Sequence, residues 1–416
     1  MIKRTIYPSI SRHLKAKEIT IITGARQVGK TTLLKQISQD LIQDNKKIQF
    51  FNLDIPSDFI YFANQENLLQ KIKLEIGTKG GYIFIDEIQR KENAGLFLKG
   101  LYDRDLPYKW IVSGSGSLEL KEKIQESLAG RKRIFEMYPV TFEELLQYKT
   151  DYRYKADLSS FLSIEHQQIR LLLKEYLNYG GYPRIVVEES ATEKRLLLEE
   201  IFRSYIERDI TTLLSLNRPD AFTLLIRFLA DRIGSPINYS TLSNQTGISL
   251  PTLKKYLWYA EKTFIIKIIR PFFRNVKKEL TKTPIAYFVD LGLRNYSLGL
   301  LGNVGEAHNS GMLFENFIFQ ILYEKASING WQVKYWRTQD KAEVDFVLDK
   351  GFEVVPIEVK YQELKRPSVS RSFRSFIDKY QPKKAYLVNL SLETNLEIEN
   401  TEVNIIPFYK LLSLDF

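Results

Sequence analysis

Nine consecutive residues near the amino terminus have the types and spacing that bind phosphate. They are Gly24, Ala25, Arg26, Gln27, Val28, Gly29, Lys30, Thr31 and Thr32. The first eight fit the pattern G-x-x-x-x-G-K-[ST], whose glycines let the backbone aim N–H groups at phosphate oxygens. In this pattern Lys30 reaches the β- and γ-phosphates, and the Thr31 hydroxyl is a magnesium ligand. The segment predicts a site for a nucleoside triphosphate with Mg²⁺.

An apolar run that ends in two carboxylates supports this interpretation independently. Residues 82–85 are Tyr-Ile-Phe-Ile, and Asp86 and Glu87 follow them. Asp86 is expected to hold magnesium through water, and Glu87 to polarise the attacking water as general base. An ordinary strand that runs into a polar loop has the same pattern. Beside the phosphate-binding segment, however, the pattern favours hydrolysis.

Two further segments offer groups for the same site. Ser113 follows the apolar residues 110–112, and we expect it to sense the γ-phosphate, although a plain turn has the same composition. Arg131 offers a positive charge for the transition state, although its basic surroundings also fit a solvated turn. Whether Arg131 acts within its own chain or on a neighbouring subunit stays open, and so does a homo-oligomeric state.

A second constellation of charged residues lies in the last quarter of the chain. Strand periodicity puts Asp345 on the polar face of one predicted strand, and Glu358 and Lys360 on the polar face of the next. Glu315 lies on an otherwise apolar helical face and is expected to point inward. Such carboxylates hold magnesium ions that activate water, and Lys360 would position or deprotonate that water. A buried Lys–Glu pair, or an inert fold used for binding, would need the same residues.

These motifs resemble a known family, the AAA-type (archaeal-type) P-loop ATPases of prokaryotes. The resemblance implies ATP binding and hydrolysis, and it leaves the biological role open. The family carries a C-terminal domain of unknown function that is similar to restriction-endonuclease folds. In this chain, Asp345 followed by Glu358-Val359-Lys360 resembles the PD-(D/E)xK nuclease signature, with Glu315 as the additional helix-borne acid. Besides the phosphate-binding segment, the residues that carry the resemblance are 51–54, 85–89, 113–115, 128–131, 138–145 and 180–183.

The elements that must position these residues divide the chain into four stretches. Near-continuous apolar runs over 18–23, 47–53, 81–85 and 109–112, separated by helices, predict the strands of a parallel sheet in the first stretch. Helix, tight turn, helix and two-stranded ribbon predict a winged helix in the third. The predicted α/β multidomain architecture is a P-loop ATPase domain over 1–157, a helical lid over 158–235, a winged-helix module over 236–299, and a restriction-endonuclease-like α/β domain over 300–416.

Basic residues are concentrated in the predicted winged helix. Between Lys254 and Lys282, nine basic residues oppose two acidic ones, a net charge of +7. Charge of this density on a helix-turn-helix and its wing is typical of duplex binding. A winged helix used for protein contacts, with solvated lysines, is the alternative. The predicted DNA contacts are Lys254, Lys255, Arg270, Arg274, Lys277 and Lys278.

Composition sets outer bounds on the function. The 416 residues include no Cys and only three His, which excludes disulfide frameworks, thiolate zinc sites and cysteine nucleophiles. The net charge of +10 allows a polyanionic partner. No run approaches the ~18 apolar residues of a membrane span, and the first residues have no hydrophobic signal core. These features predict a cytoplasmic protein without a membrane partner.

The leading hypothesis is therefore an ATP- and Mg²⁺-dependent, DNA-associated ATPase in which hydrolysis moves the lid. The competing hypothesis is a nucleotide-gated signalling protein whose nuclease-like domain is catalytically silent.

Overall fold

The chain forms two compact units. The computed structural model describes residues 1–115, 127–155, 157–204, 219–275, 279, 282–302, 310–340, 342–414 and 416. With only these residues counted, the first unit comprises Met1–Val140, Arg203–Asn217 and Trp258–Ile265. The second unit comprises Thr141–Phe202, Arg218–Leu257 and Ile266–Phe416. The domain boundary predicted at residue 157 thus falls inside the second unit, and the predicted lid includes positions outside the described residues.

The first unit is built on a five-stranded parallel sheet with the strand order β2-β3-β4-β1-β5. Its strands are β1 (Ile19–Gly24), β2 (Ile48–Asn52), β3 (Gly81–Asp86), β4 (Tyr108–Ser115) and β5 (Lys132–Met137). Its helices are α1 (Tyr7–His13), α2 (Lys30–Gln43), α3 (Pro56–Phe59), α4 (Gln65–Ile76) and α5 (Ala94–Tyr102), with 3₁₀ turns at Ile60–Ala63 and Ile88–Arg90. The sheet agrees with the predicted P-loop architecture.

The core of the first unit explains why four of its strands were predictable. Ile21, Ile83 and Val112 of adjacent strands are fully buried and pack with Ile72 of α4 and Leu98 of α5. Apolar runs of this kind are expected where helices cover the sheet. Strand β5 was not predicted, because it lies at the sheet edge and only half of its six residues, Ile134, Phe135 and Met137, are apolar.

The second unit begins with helices. They are α6 (Phe142–Lys149), α7 (Leu158–Ile164), α8 (His166–Tyr179), α9 (Pro183–Val187), α10 (Ala191–Ser204), α11 (Pro219–Asp231), α12 (Tyr239–Thr246), α13 (Leu250–Lys262) and α14 (Leu291–Leu298). The last residues of α10 and α13 belong to the first unit. Two antiparallel strands, β6 (Ile266–Ile269) and β7 (Ile285–Phe288), pair with each other. Helix α12 ends before Gly247, whose φ is 64°. Helices α12 and α13 and the β6–β7 pair match the predicted element order, and the winged-helix fold itself stays a prediction.

A six-stranded mixed sheet completes the second unit, with the order β12-β13-β11-β10-β9-β8. Its strands are β8 (Gln332–Arg337), β9 (Glu343–Asp349), β10 (Val354–Val359), β11 (Lys384–Asn389), β12 (Thr394–Ile398) and β13 (Thr401–Pro407). Its helices are α15 (Ser310–Asn329), α16 (Arg371–Tyr380) and α17 (Lys410–Ser413). Val344 and Val347 pack against Phe373, Phe376 and Ile377 of α16. The nuclease-like fold stays a prediction.

Among the helices of the described residues, none combines the length and the apolar character needed to cross a membrane.

Candidate functional site

The carboxyl ends of the parallel strands bring the predicted nucleotide-binding residues together. Gly24, the last residue of β1, lies beside Ser115 of β4 and Met137 of β5. A Cβ at position 24 would lie 2.1 Å from the Met137 carbonyl oxygen, so only glycine fits there. Ligands of open α/β sheets bind at this edge.

The loop after β1 has the backbone conformation of an anion cradle. Gln27 and Gly29 have left-handed φ values of 57° and 96°, and α2 begins directly afterwards at Lys30. Alternating left- and right-handed residues before a helix aim N–H groups at one point, and the helix dipole adds positive potential there. Of the other loop side chains, those of Ala25 and Val28 are buried, that of Arg26 is half-buried and that of Thr32 is exposed.

Lys30 lies folded against this loop. Its ammonium donates to the carbonyl oxygens of Ala25 at 2.6 Å and Gly24 at 3.2 Å, and the residue is only 6% exposed. Close by in sequence, Thr23 Oγ1 and Gln27 Oε1 are buried polar atoms without a hydrogen-bond partner among the described residues. A buried polar atom without a partner is costly. The loop is thus suited to receive a polar ligand.

The predicted magnesium ligands lie within one hydrogen bond of each other. Thr31 Oγ1 donates to Asp86 Oδ2 at 2.6 Å, and Ser113 Oγ donates to the other carboxylate oxygen of Asp86. Asp86 is fully buried. Hydroxyl and carboxylate oxygens are the hard ligands that Mg²⁺ prefers, with substrate phosphates completing its shell. Thr31 and Asp86 therefore fit Mg²⁺, and Ser113 holds the carboxylate in place.

Glu87 is held by a residue that the sequence reasoning missed. Glu87 has a left-handed backbone conformation, with φ 58° and ψ 40°, which is uncommon outside glycine and often marks a functional position. The Gln89 amide donates to the Glu87 carboxylate, and its Oε1 accepts the Ser115 N–H at 3.2 Å. Gln89 thus connects the ends of β3 and β4. Its place two residues after Glu87 was the available signal.

Arg131 lies at the opposite edge of the sheet from Lys30. Its carbonyl oxygen accepts the N–H of Ile19, the first residue of β1, whereas Lys30 follows the loop at the other end of that strand. A six-residue strand separates the two edges by roughly 17–20 Å. The guanidinium pairs instead with Asp103 at 2.7 Å. The prediction is therefore wrong for an arginine that acts within its own chain, and a role across a subunit interface stays a prediction.

In the second unit, the structure brings the predicted acids and Lys360 together. Strands β9 and β10 are antiparallel neighbours, and the Val359 N–H donates to Asp345 Oδ2 at 2.7 Å. The Lys360 ammonium lies 2.7 Å from Glu358 Oε1. Ser370, the N-cap of α16, donates to Glu358 Oε2 at 3.0 Å. Ser370 was not predicted, because its partner lies on another element. We call Glu315, Asp345, Glu358 and Lys360 the C-terminal cluster.

Burial and mutual repulsion shift the protonation of the C-terminal cluster. Burial raises the pKa of Asp345 to about 7, against the opposing Val359 hydrogen bond and with repulsion from Glu358. Burial, with repulsion from Asp345, also raises the pKa of Glu315 well above its usual range, although the Tyr287 hydroxyl donates to it. For Lys360, burial alone would lower the pKa, but the hydrogen bond and charge of Glu358 raise it overall.

The metal-ligand prediction for Glu315, Asp345 and Glu358 stays a prediction. In the part of the chain that the structure describes, no three carboxylate or histidine side chains are placed to hold one ion. Both oxygens of Glu358 are already engaged, one by Lys360 and one by Ser370. Asp345 is instead bonded to the Val359 N–H, and Glu315 to the Tyr287 hydroxyl.

Four of the predicted DNA contacts lie on the surface of the second unit. Lys254, Lys255, Arg270 and Arg274 are all exposed. The Lys254 ammonium lies 5.9 Å from the centre of the Tyr239 ring. Burial raises the pKa of Tyr239, and the nearby positive charge of Arg270 opposes that rise. Two basic groups therefore flank one aromatic side chain, a combination suited to nucleic acid.

The rest of the basic segment differs from this picture. Lys267, one of its nine basic residues, is buried with its ammonium 5.0 Å from the Tyr323 ring. It is therefore not available to a phosphate. Lys277 and Lys278 lie outside the described residues.

Three segments of the chain match known families. Residues 16–146 match a family described as an AAA domain. Residues 170–303 match the domain of unknown function DUF8612, and residues 310–411 match the domain of unknown function DUF4143. The resemblance to AAA-type P-loop ATPases is thus confirmed for the segment that carries the five-stranded sheet. The other two matches assign no activity.

Relatives resemble this chain over almost its whole length. An uncharacterized protein of Methanocaldococcus jannaschii is 26% identical over 98% of this chain and 91% of its own. An uncharacterized protein of Haemophilus influenzae is 27% identical over 92% of each chain. The solved structure of the Aeropyrum pernix ORC1 protein in complex with DNA superposes with a TM-score of 0.32 and 13% identity, covering 70% of this chain and 91% of that one. So loose a superposition carries no conclusion about ligands.

Proposed function

We propose that the protein is a Mg²⁺-dependent, AAA-type ATPase that engages DNA through the basic surface of its second unit. The observation that carries the ATPase part is the convergence of Lys30, Thr31, Asp86 and Ser113 at the carboxyl edge of the parallel sheet. They come from three separate segments of the sequence and offer one ammonium, two hydroxyls and one carboxylate around an anion-binding loop. That set suits a triphosphate with a divalent cation.

Each residue has a separate part in hydrolysis. The loop N–H groups and Lys30 bind the β- and γ-phosphates, and Thr31 and Asp86 would hold Mg²⁺, which when bound supplies positive charge against the phosphate oxygens. Glu87 accepts a proton from the attacking water while the water oxygen bonds to the γ-phosphorus. The bond from that phosphorus to the β,γ-bridging oxygen breaks, and ADP leaves. Gln89 keeps the Glu87 carboxylate oriented.

The test compares two lysines of the same helix. Lys30 lies at the start of α2 beside the loop, whereas Lys35 is exposed further along that helix. Lys30→Ala is expected to lower ATP turnover roughly 10²–10³-fold, and Lys35→Ala to leave it unchanged. Phosphate release and titration calorimetry with MgATP measure the two steps. Equal turnover in wild type and Lys30→Ala, or no binding of MgATP by the wild type, overturns the ATPase proposal.

The DNA part rests on the exposed basic side chains around Tyr239. Phosphate contacts by Lys254 and Arg270 would dominate the affinity and make it fall steeply with salt. Fluorescence anisotropy with a labelled duplex at several salt concentrations measures this. The double variant Lys254→Gln/Arg270→Gln is expected to bind more weakly and with a smaller salt slope. The matched control exchanges two exposed lysines elsewhere, Lys35→Gln/Lys365→Gln. The proposal is contradicted if the wild-type protein binds the duplex with an affinity that does not change with salt concentration.

A second candidate function is a nucleotide-gated interaction protein whose C-terminal cluster cleaves nothing. One observation favours it: both Glu358 oxygens are engaged, one by Lys360 and one by Ser370. Cleavage of a phosphodiester would require the cluster to release these internal bonds. Plasmid nicking separates the two candidates, since only a nuclease produces open circles that depend on Lys360.

A further inference from the structure

The side chain of Arg4 binds the phosphate-binding loop from its outer side. Arg4 Nη1 donates to the carbonyl oxygen of Val28 at 2.8 Å. Its Nη2 donates to the carbonyl oxygens of Tyr138 at 2.6 Å and Pro139 at 3.2 Å. One planar guanidinium therefore joins the loop to the segment that follows β5. None of these three contacts is visible in the sequence, because the partners are backbone carbonyls 24, 134 and 135 residues away.

The Val28 contact fixes a donor of the loop. The C=O and N–H of a trans peptide point in opposite directions. Because the Val28 carbonyl is held toward Arg4, the N–H of Gly29 in the same peptide points away from the guanidinium. Gly29 has a left-handed φ of 96° and directly precedes α2, the place where phosphate-binding loops present their N–H donors. The positive charge of Arg4 also polarises this peptide, which makes the N–H a stronger donor.

Arg4 is itself held in place by the first helix. Its carbonyl oxygen accepts the Tyr7 N–H at 3.1 Å, where α1 begins. The Tyr7 hydroxyl donates to Asp40 on α2, and His13 at the end of α1 is hydrogen-bonded to Thr20 of β1 at 2.8 Å. The residues around Arg4 are thus anchored to both the strand before the loop and the helix after it. A guanidinium fixed in this way can hold the loop without losing much side-chain entropy on ligand binding.

We propose that Arg4 is a positioning residue that presets the phosphate-binding loop and couples its shape to the Tyr138–Pro139 segment. That segment is the place where the chain leaves the first unit at Val140. A rearrangement of the loop around a phosphate would therefore shift the Arg4 guanidinium, and with it the hydrogen bonds to the Tyr138 and Pro139 carbonyls. The catalytic consequence of this role rests on the proposed ATPase function, whereas the ordering of the loop does not.

The first experiment measures the loop without nucleotide. Hydrogen exchange of loop peptides that span Gly29 and Lys30 is compared in wild type, Arg4→Gln, Arg4→Lys and the control Arg12→Gln, an exposed residue of α1. Arg4→Gln is expected to speed exchange of the loop at least about tenfold, with the β3 and β9 peptides unchanged. The exchange rate of the loop in Arg4→Lys is expected to lie between those of wild type and Arg4→Gln, because an ammonium does not reproduce the planar guanidinium fork. Unchanged loop exchange in Arg4→Gln overturns the proposal, as does equal acceleration everywhere.

The second experiment measures MgATP binding and turnover. It separates a failure of the Arg4 proposal from a failure of the ATPase proposal. In Arg4→Gln the affinity for MgATP is expected to fall about tenfold or more and KM to rise, with Arg4→Lys restoring part of both and Arg12→Gln resembling wild type. A variant that is less stable but binds MgATP like wild type contradicts the positioning role. A wild type that binds no MgATP defeats the ATPase proposal, and the exchange experiment then decides on Arg4 alone.

Discussion

The phosphate-binding site of the first unit and the C-terminal cluster of the second both combine carboxylates with a lysine, but they achieve this differently. Lys30 and Thr31 are adjacent in sequence, and Asp86 reaches them because β1 and β3 end at the same edge of a parallel sheet. In the C-terminal cluster, Glu358 and Asp345 come from antiparallel neighbours. One site depends on a contiguous loop, and the other depends entirely on packing.

The two sites also differ in the charge of the groups that contact their carboxylates. Asp86 is held by two neutral hydroxyls, which a cation can replace at small cost. In the C-terminal cluster, Lys360 already neutralises Glu358, and Asp345 has a pKa of about 7 because it is buried. A cation would have to displace a lysine and a proton there. Similar residue types are thus held by neutral hydroxyls in one unit and by a lysine and a serine in the other.

The largest effect is expected from Glu87→Gln. The amide keeps the size and the contact with Gln89 but cannot accept a proton, so turnover should fall roughly 10²–10³-fold while MgATP still binds. Phosphate release and calorimetry measure the two quantities. Glu92→Gln, on the exposed loop nearby, is the control and should resemble wild type. If Glu87→Gln retains wild-type turnover, the assignment of the general base is wrong.

The next largest effect concerns Lys360. If the C-terminal cluster cleaves DNA, plasmid nicking with Mg²⁺ or Mn²⁺ should fall roughly 10²-fold in Lys360→Ala. Lys365→Ala, five residues on and exposed, should nick like wild type. Absence of nicking by the wild type, with and without ATP, would favour the silent, interaction-only function and sharpen the contrast between the two sites.

The two units should respond to pH with opposite sign. Burial lowers the pKa of His13 to about 4, so the unfolded chain binds a proton that the folded first unit does not. Stability of the first unit is therefore lost as pH falls from about 6.5 toward 4. Burial raises the pKa of Asp345 to about 7, so its contribution to the second unit is present below about 4 and is lost as pH rises to 7.

Hydrogen exchange of β1 and β9 peptides measures the stability of each unit separately, once the rates are corrected for the intrinsic pH dependence of exchange. Each pH effect is expected to be on the order of 1–3 kcal/mol. His13→Gln should remove the acid-side loss in β1. Asp345→Asn should reduce the loss toward neutral pH in β9, and the part that comes from the raised pKa of Glu315 should remain. Parallel pH slopes in the two units would refute the assigned protonation states.

The smallest effect is expected from Arg131→Ala. Its half-exposed ion pair with Asp103 lies at the far edge of the sheet, so stability should fall by only about 0.2–1 kcal/mol. Turnover at low protein concentration should stay within about twofold of wild type. A large loss that appears only as protein concentration rises would reveal an arginine that acts across a subunit interface.

Prediction from sequence worked where the signal is local. The phosphate-binding loop, the two carboxylates after β3 and the four apolar strands of the first unit follow from neighbouring residues, because backbone wrapping and sheet burial act over a few positions. Strand β5 escaped because an edge strand needs no continuous apolar run. Gln89 and Ser370 escaped because their roles exist only once separate strands and helices are packed.

By itself the amino-acid sequence determined that this chain carries a phosphate-binding loop and a strand that ends in Asp86 and Glu87. Only the tertiary structure decided that Arg131 lies beyond reach of that loop, that Arg4 contacts the loop, and that burial raises the pKa values of Glu315 and Asp345. The physical reason is the distance along the sequence over which each effect acts. Spacing along a loop or strand sets local geometry, whereas strand order and burial set distances and pKa values between residues that are remote in sequence.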